Sequence, residues 1–257
     1  MPTRRTSTIL CVAALTILAW AYLVHLERQM SAAVADEQMM AAMGMAMNTP
    51  WTGVDVLLTF GMWAVMMVGM MAPSATPVLL LAAKAPARQG QSGGRALPWM
   101  FGVGYFLIWF GFSAVAALVQ WALHQRAMLS PAMAASSPRL AAGILIGAGI
   151  YQFTPFKDAC LTHCRSPLDF LMGHWRSGRT GAFRMGAHHG AYCLGCCWTL
   201  MAVLFAVGVM NLAWVAALTI FVLIEKTERL APASFWVSRI AGALLIVGGL
   251  IKIIWNA

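Results

Sequence analysis

Seven apolar runs dominate this sequence, and they constrain its fold more than any other feature. Several reach or exceed twenty residues, the length that spans a bilayer's hydrocarbon core of about 30 Å. Because lipid offers the backbone no hydrogen-bond partners, apolar spans of this kind have to be helical. A membrane β-barrel would instead show short segments of alternating polarity. The runs cover residues 8–26, 52–83, 99–123, 139–155, 188–209, 212–225 and 235–254.

These runs predict an all-α fold, a polytopic transmembrane helix bundle with six to seven spans. Only 10% of the 257 residues are charged, whereas a soluble domain carries about 25%. We divide the chain into residues 1–50, a first span with a Met-rich outer loop, and residues 51–257, a metal-binding transmembrane domain. The second run contains Pro73 and Pro77, so we expect it to kink or to end near Leu81.

Most of the 17 lysines and arginines fall on one side of the predicted bundle if the N-terminus is inside. This bias predicts a multi-pass protein of a bacterial inner membrane with a cytoplasmic N-terminus. The first run also resembles a signal anchor, and cleavage after it is the alternative to a retained span. The net charge of +9 does not indicate a nucleic-acid partner, because the basic stretches are short and separate.

The fifth run begins with a concentration of histidine and cysteine, HHGAYCLGCCW from His188. Residues three or four apart share a face of a helix, which predicts one stripe beside His188. The stripe consists of His189, Cys193, Cys196 and Cys197. It rises about 12 Å, too far for one ion to contact all four side chains. We therefore expect Cys193, with Cys196 or Cys197, to be completed by ligands from elsewhere.

A second cluster, Cys160, His163 and Cys164, lies in the preceding predicted cytoplasmic loop. Thiolate and imidazole groups are ligands for copper or zinc, and soft thiolates select Cu(I). Two alternatives are redox-active thiols and cysteines that act only as small apolar side chains. A structural disulfide is not expected in a reducing compartment.

Methionines form the third feature. The second run carries Met66 and Met70 at helical spacing, with Met67 and Met71 on a neighbouring row. Because thioethers are soft ligands, this methionine ladder suits the passage of Cu(I); the alternative is lipid-facing or core packing. The predicted outer loop is also rich in methionine, which indicates copper capture or an amphipathic surface helix. Its methionines are Met30, Met39, Met40, Met43, Met45 and Met47.

Glu225 ends the sixth run and is followed by Lys226. Ionisable residues at membrane depth are candidates for function. Glu225 could be a further metal ligand, a carboxylate that orients a histidine, or half of an ion pair with Lys226. The sequence leaves these three roles open.

Three stretches together resemble a bacterial family of unknown function described as predicted metal-binding integral membrane proteins. They are WAVMMVGMMAPSATP (63–77), CLTHCRSPL (160–168), and the segment from Gly190 to Lys226 that contains GAYCLGCCWTLM and GVMN. The resemblance covers about residues 50–254 and implies metal binding within a membrane. It does not imply which metal is bound.

The leading hypothesis is a Cu(I)-handling membrane protein that works in capture, transport or delivery. Copper is the expected metal and zinc the alternative, with the bilayer and a membrane protein or metallochaperone as partners. The sequence favours a non-enzymatic role. Two rival hypotheses are a membrane thiol-disulfide oxidoreductase and a structural subunit of a membrane complex.

Overall fold

The computed structural model describes residues 2–43, 51–88, 97–130, 133–173, 176–227 and 233–255. Within these residues the chain forms helices and no β-strand, apart from one isolated bridge between Leu129 and Ala135. The helices are α1 (Pro2–Ala42), α2 (Gly53–Arg88), α3 (Leu97–Gln125), α4 (Pro138–Tyr151), α5 (Pro155–Arg165), α6 (Pro167–Gly173), α7 (Gly178–Val207), α8 (Leu212–Thr227) and α9 (Ala233–Trp255). The predicted all-α fold is confirmed.

The segment between the fourth and fifth apolar runs is not the simple loop that the sequence predicted. It carries the short helices α5 and α6, and α7 begins at Gly178 rather than near residue 188. Thr154 starts α5, because its side chain accepts a hydrogen bond from the backbone N–H of Lys157, and Pro155 fits the first helical position. The second cluster, Cys160, His163 and Cys164, therefore lies on a helix, α5.

The first run extends into much of the predicted outer loop. Helix α1 continues to Ala42, so Met30, Met39 and Met40 are helical, and Met43 lies in the turn that follows. The last three of these methionines are exposed. Met45 and Met47 lie outside the described residues. The Met-rich segment is therefore largely the end of a long helix.

The prolines of the second run do not end it near Leu81, because α2 passes through both Pro73 and Pro77. A proline removes the hydrogen bond to the carbonyl four residues earlier, which for Pro73 belongs to Gly69. The indole Nε1 of Trp20 in α1 donates a hydrogen bond to that carbonyl at 3.3 Å. A neighbouring helix thus satisfies the freed backbone group, as apolar surroundings require.

In the part of the chain that the structure describes, five helices are long and apolar enough to cross a membrane. They cover Arg5–Asp36, Gly53–Ala83, Leu97–Gln125, Gly178–Val207 and Trp236–Trp255, and Pro138–Tyr151 is a shorter apolar helix. These lengths are compatible with membrane insertion. Six to seven spans and the orientation of the N-terminus stay predictions from the sequence.

Two glycines allow the backbones of α3 and α7 to touch. A Cβ on Gly186 would lie 2.0 Å from the Phe101 carbonyl oxygen, and one on Gly104 would lie 2.1 Å from that of Phe183. Small residues permit this close packing between apolar helices. The contact presses the cysteine-bearing face of α7 against α3.

We expect Gly186→Ala to destabilise the bundle by about 1–3 kcal/mol, because its methyl group would overlap the Phe101 carbonyl and force α3 and α7 apart. Thermal unfolding in detergent measures this. The matched control is Gly111→Ala in α3, where a Cβ would meet nothing within 4 Å. There the substitution should be neutral or stabilise by up to about 1 kcal/mol. Equal melting temperatures for both variants would contradict the close approach.

Candidate metal centre

The cysteine stripe of α7 faces the interior of the bundle. His189 is 4% exposed, Cys193 and Cys196 are each 1% exposed, and Cys197 is fully buried. His188 points the other way and is exposed. The helical spacing therefore sorts the two adjacent histidines onto different sides of α7.

Helix α5 packs its two cysteines against α7. Cys160 and Cys164 are both buried. The Cys160 thiol occupies the space beside Gly195, where an added Cβ would lie 2.8 Å from its sulfur. The hydroxyl of Tyr151, at the end of α4, donates a 2.5 Å hydrogen bond to the Gly195 carbonyl. The glycine thus makes room for α5, and Tyr151 fixes α7 beside it.

His163 does not join the buried thiols. Its ring stacks on Tyr192 with a centroid distance of 4.2 Å, and its Nδ1 lies 2.9 Å from the Ala159 carbonyl oxygen. The His188 ring also lies beside Tyr192, at a centroid distance of 5.0 Å. Of the three histidines that the sequence singled out, His189 is the one buried with the cysteines.

The two cysteine clusters meet at Cys164 and Cys196, whose sulfur atoms lie 4.0 Å apart. The Cys196 and Cys197 thiols donate to the Cys193 carbonyl at 3.1 and 2.9 Å. Hydrogen bonding to Cys193 and Cys196, together with burial, raises the pKa of the Cys164 thiol well above its ordinary value. A metal bound here would have to displace that proton.

Two residues that the sequence did not indicate as neighbours of the thiols complete this cluster. The Lys226 ammonium donates to the Cys193 sulfur at 2.8 Å and to the Ser74 hydroxyl at 3.4 Å, and it lies 4.0 Å from the Met71 sulfur. The Tyr105 hydroxyl lies 2.9 Å from the Cys193 sulfur. The sequence could have indicated Lys226, because a lysine at membrane depth needs a partner. It could not have indicated Tyr105, because a tyrosine in an apolar helix is not by itself a sign of a site.

Glu225 is paired with Lys157 and not with Lys226. The Lys157 ammonium lies 2.5 Å from the Glu225 carboxylate and also contacts Gln152. Ser238 donates a second hydrogen bond to the same carboxylate oxygen at 2.5 Å. Both charged side chains are almost completely buried, at 0% and 1% exposure. The carboxylate therefore joins α5, α8 and α9.

The methionine ladder lies inside the bundle. Met66, Met67, Met70 and Met71 are all fully buried. The lipid-facing alternative thus does not apply to these four side chains, which leaves core packing or a role in metal passage. Met71 is the one that reaches the thiol cluster, through Lys226.

A cavity of about 290 Å³ opens beside the thiols. Its walls come from α1, α2, α5, α6, α7 and α8. They include Arg5, Ser74, Pro77, Cys164, Arg165, His189 and Lys226. Cys164 and His189 are therefore reachable from outside the helix core, although both side chains are themselves buried.

The donor set suits a soft metal better than zinc. Among the described residues, no group of three or more His, Cys, Asp or Glu side chains is arranged to hold one ion. A structural zinc site needs four such ligands in a tetrahedron. Cu(I) instead prefers thiolate and thioether sulfur and is satisfied by fewer ligands. Cys164, Cys193 and Cys196, with Met71 nearby, provide sulfur of both kinds.

The fold and this cluster define an all-α protein that buries sulfur donors between its helices. The chain belongs to the PpoB2 family of copper chaperones, whose model matches residues 60–252. This match supports the metal-related family that the motifs resembled, and its description suggests copper binding. Comparisons with curated proteins and with solved structures found no match.

Proposed function

We propose that this chain is an integral membrane Cu(I) chaperone that receives the ion between the Cys164 and Cys196 sulfur atoms, with Cys193 beside them. The single observation that carries the proposal is the 4.0 Å separation of the Cys164 and Cys196 sulfur atoms, which belong to different helices. Membership of a copper chaperone family supports copper as the metal. The five long apolar helices support insertion in a membrane, which we take to be the bacterial inner membrane.

The ion reaches the cluster from the opposite side of the bilayer by way of the methionine ladder. Arg5 lines the cavity beside the thiols, whereas the exposed Met39 and Met40 are at the other end of α1. At 1.5 Å per residue, about 50 Å of helix separates Arg5 from Met39, more than a hydrocarbon core of about 30 Å. Outer methionines therefore capture copper, and buried thioethers pass it inward.

The cluster then gives copper to a partner, either a soluble metallochaperone or a membrane protein. Thiol ligands suit such a handover, because exchange between sulfur ligands needs no change in the oxidation state of the metal. The His163 and His188 rings flank Tyr192, and their ring nitrogens are further ligands for the exchange.

We expect the double variant Cys164→Ser/Cys196→Ser to bind Cu(I) more than about 100-fold more weakly than the wild type, since loss of a direct ligand should exceed the effect of losing a supporting residue. Anaerobic competition titration of the detergent-purified chain measures this. The matched control is Cys11→Ser on α1, a half-buried cysteine away from the cluster, which should leave the affinity unchanged.

Equal affinity of the double variant and the wild type would contradict the assignment. The same samples test the redox alternative, because two thiols 4.0 Å apart could also form a disulfide. A Cys164–Cys196 disulfide that is reversible by reductant, without bound copper, would favour an oxidoreductase. Stoichiometric partner proteins in the purified sample would favour a structural subunit.

We expect Met70→Leu/Met71→Leu to slow the entry of Cu(I) into proteoliposomes while the protein stays folded. Leucine matches methionine in size, so the stability cost should stay below about 1.5 kcal/mol per site, but it has no sulfur to bind copper. The control is Met201→Leu, because Met201 is equally buried but lies in α7. Uptake rates that do not differ among the three proteins would make the ladder a packing feature only.

A further inference from the structure

The cavity beside the thiols has an unusual charge for a protein that handles a cation. Arg5, Arg165 and Lys226 contribute three positive side chains to its walls. None of the described lining residues carries a carboxylate. Glu225, which precedes Lys226 in the sequence, already forms an ion pair with Lys157. The walls therefore repel a free metal cation and attract an anion.

Two polar atoms of the lining residues are buried and lack a partner. They are Nη2 of Arg165 and Nδ1 of His189, neither of which has a hydrogen-bond partner among the described residues. Buried polar groups are nearly always hydrogen-bonded, so such atoms point to a missing ligand. Arg165 is also held in place, because its Nε donates to the Glu225 carbonyl at 2.8 Å. Its Nη2 group is thus available to a ligand with acceptor atoms.

We infer that this cavity binds Cu(I) as an anionic complex with small thiolates and not as the free ion. The inference rests on the proposed function and names the form in which copper is exchanged there. Two thiolates bound to Cu(I) give a complex of net charge −1, and carboxylates on the thiol add further negative charge. Arginine is suited to such carboxylates, since its planar fork binds them through two hydrogen bonds.

Copper passes between this complex and the protein by reversible ligand exchange, and delivery of copper to a thiol carrier is the reverse of the following uptake reaction. The Cys164 and Cys196 thiols each form a bond from sulfur to Cu(I), and each bond from copper to a carrier thiolate breaks. The two protons released by the cysteines go to the two departing thiolates. Copper remains Cu(I), and the net charge of −1 moves from the carrier complex to the protein complex. Lys226, which already contacts Cys193, is placed to balance that charge.

The experiment supplies Cu(I) to the detergent-purified full chain under anaerobic conditions from two sources, an anionic glutathione complex and a cationic acetonitrile complex. Initial copper uptake is measured by rapid desalting and elemental analysis. Arg5→Gln/Arg165→Gln should take copper from glutathione about tenfold more slowly than the wild type. Uptake from acetonitrile should be unchanged or faster. Raising the salt concentration should reduce the wild-type rate from glutathione.

Two controls separate charge from structure. Arg5→Lys/Arg165→Lys keeps both positive charges and should retain most of the wild-type rate. Arg139→Gln/Arg179→Gln removes two exposed charges that do not line the cavity and should have no effect. A Gln variant that slows both copper sources equally, or neither, would overturn the inference while leaving the chaperone proposal intact. If the wild type retained copper from neither source, that result would overturn the proposed function itself.

Discussion

The contact of α5 with α7 is the interaction on which the rest of this account depends. Gly195 leaves space for the Cys160 thiol, and this allows Cys164 to approach Cys196 to 4.0 Å. Without that contact, the cysteines of α7 would form a stripe along a single helix, which could not enclose an ion. The Tyr151 hydrogen bond to the Gly195 carbonyl holds the same junction from the side of α4.

Two buried lysines organise the charges around the junction in different ways. Lys157 is matched by the Glu225 carboxylate, which fixes α5 against α8. A buried pair of this kind contributes little net stability, but losing one partner is costly because the other charge stays buried. Lys226 contacts sulfur, at Cys193 and Met71, and lies where the thiols and the methionine ladder meet. The Lys226 ammonium thus already places a positive charge among these sulfur donors.

The sequence was sufficient to predict the helical fold, because long apolar runs leave a backbone no other choice in lipid. Helical spacing also indicated correctly that His189, Cys193, Cys196 and Cys197 share a face. It did not indicate the helices α5 and α6, since these short segments become helical through packing and, for α5, through the Thr154 cap. The continuation of α2 beyond Leu81 was missed for a similar reason, because the donor that compensates for Pro73 is Trp20 in another helix. The pairing of Glu225 with Lys157 likewise depends on a contact between distant segments.

The central claim is that sulfur from two helices binds one Cu(I) ion, and X-ray absorption at the copper K-edge tests it most directly. The sample is the full chain loaded with Cu(I) under anaerobic conditions. The account predicts a nearest shell made of sulfur, and loss of sulfur neighbours when Cys164 and Cys196 are both replaced by serine. A shell dominated by nitrogen or oxygen in the wild-type protein would contradict it.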